Sequence, residues 1–182
     1  VNPAPLYTRY PRSSVAIYHG STLLHFFLGA SAIGLGYSFL GWPAGLAATS
    51  YLVFALVEMY LGLPLAVCPN CVYYKLEGSR CISGLNLFSR RIAPPGRIED
   101  FPKRAKGLLC PNNLYMVSLI LPVVLAIPAL FIQPSGRIWA IFLVLLALLL
   151  FRFFVVFPVL ACLHCRAKYQ CPQAGAMGVR KR

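Results

Sequence analysis

Acidic side chains are scarce in this chain. Four Asp and Glu stand against 17 Lys and Arg, and charged residues of both signs make up only 12% of the sequence. A soluble domain carries about 25% charged residues, so the deficit argues against water as the main solvent. It also leaves little material for paired-carboxylate catalysis, and neither a phosphate loop nor a catalytic triad is readable. Histidine is sparse too. His19 and His25 fall in the first apolar run, and the other runs have no histidine to complete a bis-histidine site, so no haem is expected.

Apolar residues, by contrast, reach 59% of the chain. Four runs, near 16–40, 46–67, 114–132 and 138–161, approach the roughly 20 residues that cross a bilayer as a helix. The first run is too long for a signal peptide and a second follows at once, so it reads as a retained span. The fold expected is an all-α integral membrane protein of four transmembrane helices, arranged as two parallel-repeat hairpins with a Cys-rich cap.

A net charge of +13 would suit nucleic acid in a soluble protein. No recognition module is present, and the placement of charge has a simpler meaning. Basic residues collect before the first span (Arg9, Arg12), in the middle segment (Lys75 to Lys106) and in the tail (Arg166 to Arg182), whereas the two short turns hold only Arg137. Cytoplasmic loops collect Lys and Arg, so both termini and the middle loop are expected on the cytoplasmic side, facing anionic lipid headgroups. The expected partners are the bilayer and other membrane subunits, not nucleic acid.

The organisation follows from this: 1–67 is an N-terminal segment and first hairpin, 68–112 a basic Cys-containing loop, 113–161 a second hairpin and 162–182 a Cys-containing tail. Within the loop, Ile82, Leu85, Phe88 and Ile92 predict a short helix lying in the interface. In span one, Gly29, Ala30, Ala32, Gly34 and Gly36 form a stripe of small residues that lets helix backbones approach. Pro122 and Pro128 predict a kinked third span.

One pattern occurs twice. Pro64-Leu65-Ala66-Val67-Cys68-Pro69-Asn70-Cys71 recurs 94 residues later as Pro158-Val159-Leu160-Ala161-Cys162-Leu163-His164-Cys165, and a third cysteine follows each copy, Cys81 or Cys171. The same shift sets Glu58 against Arg152, each ten residues before its first cysteine. That is about 15 Å into a bilayer, where a lone charge is costly. The matched depth predicts an intramembrane Glu58–Arg152 ion pair, so that Glu58→Gln alone would leave Arg152 unpaired.

Two Cys-x-x-Cys claws at matched positions predict a thiolate metal site, with Cys68, Cys71, Cys162 and Cys165 as ligands and Cys81 and Cys171 as additional candidates. Zinc is the favoured metal, and an iron–sulfur cluster the alternative. Cys110 stands alone before Pro111 and reads as a buried or incidental thiol. His164, inside the second claw, is a weaker ligand candidate. A thiol-redox enzyme fits less well, because Cys68 and Cys162 close helices at their C-terminal ends, where the helix dipole disfavours thiolate. The function expected is non-catalytic: a small membrane subunit of a redox or energy-converting complex, its two hairpins clamped by metal. The alternatives are an iron–sulfur electron-transfer subunit near a quinone, and a membrane thiol-redox enzyme.

Overall fold

The computed structural model describes residues 4–104 and 109–180, except for the side chain of Arg104. Lys106, Lys181 and Arg182, counted above with the basic loop and tail, lie outside the described residues. Among the described residues the regular structure is helical, and the extended pairings are two isolated parallel bridges, Tyr7 with Cys165 and Arg9 with Arg80.

The helices are α1 (Arg12–Gly36), α2 (Trp42–Val57), α3 (Val72–Lys75), α4 (Leu85–Ile92), α5 (Phe101–Arg104), α6 (Pro111–Ile132), α7 (Gly136–Phe151) and α8 (Pro172–Ala176). Helices α2 and α7 each continue without a break into a wider π-helix, Glu58–Val67 and Arg152–Cys162. Among the described residues, three continuous helices are long and apolar enough to cross a membrane: Trp42–Asn70, Pro111–Ile132 and Gly136–Cys162. With 25 residues, α1 has the length but not the apolarity to join them. Its position accounts for the difference. It packs against α2, α6 and α7, and that contact shelters Thr22, His25, Gly29 and Gly36.

The glycine stripe packs within the chain. A Cβ on Gly36 would lie 2.6 Å from Ala129 Cβ, and one on Gly29 would lie 2.8 Å from Pro122 Cβ, so these glycines admit α6 at close range. Gly34 is looser, with its nearest neighbour, Ala48 Cβ, at 3.5 Å. Pro122 has no N–H to offer the Ser118 carbonyl. Tyr51 supplies the missing donor, its hydroxyl reaching Ser118 O at 2.9 Å.

The π-helices begin at matched positions and each contains a proline, Pro64 or Pro158. A proline ring crowds the carbonyl four residues earlier and donates no hydrogen bond. Wider winding moves that carbonyl aside. At the ends of these segments the bonds reach back five residues, from Cys68 N to Leu63 O and from Leu163 N to Pro158 O.

The short turns meet at one pole, where the Ser38 hydroxyl donates to Gln133 Oε1 at 3.0 Å and Trp42 is 79% exposed. The opposite pole gathers the N-terminal segment, the middle loop and the tail. There α4 forms where a short helix is predicted, but with a different face inward. Leu85, Asn86 and Ser89 are buried, while Phe88 and Ile92 are exposed. Asn86 and Ser89 turn inward because backbone groups await them, as described next.

Candidate functional site

The two claws fold alike. In the first, Cys71 N–H donates to Cys68 O (3.0 Å) and Tyr74 N–H to Cys71 O (2.9 Å); in the second, Cys165 N–H donates to Cys162 O (3.2 Å) and Lys168 N–H to Cys165 O (3.1 Å). The 94-residue shift maps one set of bonds onto the other. It also maps Tyr73 onto Ala167, whose backbone N–H groups favour the charged form of the Cys71 and Cys165 sulfurs respectively.

Cys68, Cys71, Cys81, Cys162, Cys165 and Cys171 all line one chamber of about 210 Å³. Val67, Phe101 and Ala167 form an apolar cluster against it. All seven cysteines are free thiols. Burial pushes the Cys71 thiol up to about 12, and the nearby Cys81 and Cys171 add repulsion. Cys165 is raised in the same way, by burial first and then by Cys71. Without a cation these sulfurs are protonated at neutral pH. Among the described residues, no three His, Cys, Asp or Glu side chains are placed to share a single ion. The thiols ring a space and do not converge on a point.

Hydrogen bonds hold the rim of the chamber. Asn86 Oδ1 accepts from Cys81 N–H at 3.1 Å, and its amide nitrogen donates to Tyr73 O and Ser79 O. Arg90 donates to the carbonyls of Tyr73, Tyr74 and Leu76. The N-terminal segment runs across both halves. Tyr7 N–H donates to His164 O (3.0 Å), Arg80 N–H to Thr8 O (3.1 Å) and Tyr10 N–H to Arg80 O (2.9 Å). Tyr73 donates to Tyr7 O at 2.7 Å, and Tyr10, only 1% exposed, donates to Ala161 O. His164 stacks on the Tyr7 ring and bonds Pro5 O, so it serves this strap and does not line the chamber. Cys110 also stands apart, its sulfur accepting from Asn113 N–H as the N-cap of α6.

Glu58 and Arg152 do not pair. Arg152 is 0% exposed and donates to Thr22 Oγ1 (2.6 Å), Ser21 Oγ (2.8 Å), Tyr18 O (3.2 Å) and the Tyr115 hydroxyl. Its guanidinium also lies over the Phe157 and Tyr18 rings, 5.0 and 5.1 Å from their centroids. Glu58, 9% exposed, folds back over Gly62, and its Oε1 has no partner among the described residues. Matched depth fixed the height of the two groups but not their bearing around the helix axes. Arg152 faces α1 and α6, whose neutral oxygens solvate it without a carboxylate.

His25 is buried with Nε2 2.7 Å from Leu119 O, and His19 lies between Tyr60 Oη (3.1 Å) and Ser83 O (2.7 Å). The strap tyrosines and the Arg152 cradle carry no local sequence signal, since Tyr7, Tyr10, Tyr18 and Tyr115 all lie far along the chain from either claw. Comparison with known protein families, with curated proteins and with solved structures gives no match.

Proposed function

We propose that this chain is a small subunit that crosses a membrane four times, α1 included, and carries a thiolate-bound metal centre at its basic, cytoplasmic pole. The observation that carries the reading is the meeting of six cysteines, three from each half of the chain, on one apolar-walled chamber. Buried thiols of raised pKa gain stability from a cation that replaces their protons. The amides of Tyr73 and Ala167, aimed at sulfur, suit bound thiolates.

We infer an iron–sulfur cluster over the single zinc ion first expected, because six cysteines line the chamber and a structural zinc takes four ligands. Zinc–sulfur bonds of about 2.3 Å would draw four sulfurs to within about 4 Å of one another. The thiols here surround a larger space. Cys68, Cys71, Cys162 and Cys165 would hold the cluster, with Cys81 and Cys171 completing the wall. When bound, such a cluster supplies one-electron transfer. The protein's own contribution is an apolar enclosure, oriented amides and a strap that closes the two halves around the site. The glycine stripe is spent on internal packing, so contacts with other subunits fall to the basic loop and to the exposed apolar faces. Anionic headgroups would meet the same basic pole.

The test is metal and acid-labile sulfide analysis of protein purified anaerobically from its native membrane. Iron with matching sulfide is expected, together with a paramagnetic signal on reduction. One zinc per chain without sulfide would replace the cluster by a structural clamp. Disulfide-linked, metal-free protein would end both metal readings. Impermeant amine labelling of intact cells checks sidedness: the exposed Lys75 and Lys103 of the basic pole stay unlabelled until the membrane is opened.

A further inference from the structure

Below the cysteine chamber lies a second cavity of about 140 Å³, and the two share Leu63, Ile82, Asn112, Ala161, Cys162 and Cys171 in their walls. Tyr18, Tyr115 and Phe157 give it an aromatic end, and Met116 and Met177 add adaptable apolar surface. Two of the residues that line this cavity hold buried hydrogen-bond donors that are unspent. Asn112 Nδ2 is a buried atom without a partner among the described residues. Tyr18 and Tyr115 share a single bond of 3.2 Å between their hydroxyls. Two hydroxyls carry two protons, and that bond uses one. The second has no acceptor among the described residues, whichever tyrosine holds it. Arg152 donates to Tyr115 from behind, and a cation there strengthens Tyr115 as a donor.

We propose that this second cavity binds the ring of a quinone. The occupant must be flat and apolar to lie among Tyr18, Phe157 and Met116. It must carry two acceptor oxygens to meet the two donors, since a buried donor left unmet is costly. An acyl chain offers no acceptor. A flavin is too large for the space. A para-quinone ring satisfies both donors without adding charge. Cys162 and Cys171 stand in the shared wall, so the ring lies against the cysteine chamber. Ring binding is independent of the metal reading; a role for it in electron transfer rests on that reading.

The experiment uses the full chain in detergent, with duroquinone as probe and durene, the same methylated ring without oxygens, as control. Saturable binding of one duroquinone per chain is expected, with durene at least about tenfold weaker, the scale of one or two hydrogen bonds. Tyr115→Phe should weaken duroquinone by about tenfold and leave durene unchanged. Leu63→Trp, which fills the cavity, should abolish binding of both. Should the variants misfold, an azido-quinone photolabel on the wild-type chain should mark the peptides that contain Met116 or Met177. Equal affinity for the two rings, labelling elsewhere, or no saturable binding would overturn the proposal. Zinc in the chamber with intact quinone binding would sink only the electron-transfer reading. An iron–sulfur centre without quinone binding would sink only this inference.

Discussion

Ser89 donates its hydroxyl to the carbonyl of Pro64 across 2.6 Å, pinning α4 to the π-helical end of the second long helix. The carbonyl sits where the wider winding has disturbed the helical ladder, and Ser89 is fully buried. Ser89→Ala leaves a buried acceptor unmet and is expected to cost about 1–3 kcal/mol. Chemical or thermal unfolding in detergent measures this, and a variant as stable as wild type would show that water replaces the hydroxyl.

Arg152 and Glu58 should respond very differently to loss of charge. Arg152→Gln withdraws donors from Thr22, Ser21, Tyr18 and Tyr115 together, and a loss of at least about 2 kcal/mol is expected. Glu58→Gln removes a charge that Arg152 does not contact, and stability should stay within about 0.5 kcal/mol. Equal losses in the two unfolding curves would restore the ion pair.

The metal-free protein should weaken in alkali. An unfolded Cys71 ionises near 9, the folded one near 12. Between those values the unfolded chain sheds its proton first, so stability falls by roughly 1 kcal/mol per pH unit above 9. Denaturation of chelator-treated protein across this range tests the slope. Alkylation of Cys71 near neutral pH should be slow for the same reason; rapid labelling there would favour a thiol-based enzyme.

Neighbouring glycines on α1 should tolerate a methyl group unequally. Gly36→Ala drives its Cβ to 2.6 Å from Ala129 Cβ, and about 1–3 kcal/mol of overpacking is expected. Gly34→Ala meets Ala48 at an ordinary 3.5 Å and should be neutral or slightly stabilising, since alanine favours helix. Melting temperatures of the two variants decide between packing and propensity.

The parts of this molecule legible in its sequence are those written in local pattern. Long apolar runs mark α2, α6 and α7, and the spacing of Pro64, Cys68 and Cys71 against Pro158, Cys162 and Cys165 brings both claws to one chamber. Cys81 and Cys171 follow at different offsets, so only the fold shows that they join the same wall. The Glu58–Arg152 pairing fails because a repeat aligns residues along a helix and says nothing of the azimuth that π-winding imposes. Tyr10 and Ala161 touch across 151 positions of chain, a contact with no local signature. Asn86 and Ser89 break the amphipathic pattern of α4 for a reason that lies elsewhere, in the carbonyls of Tyr73, Ser79 and Pro64.

The strap gives the molecule an order of assembly. Tyr7 and Tyr10 are synthesised well before their acceptors, His164 and Ala161, which lie far downstream. The segment meets Tyr73 and Arg80 first, and its bonds to the second half form only once that downstream stretch exists. Closure of the strap over the cysteine chamber therefore follows synthesis of the second claw.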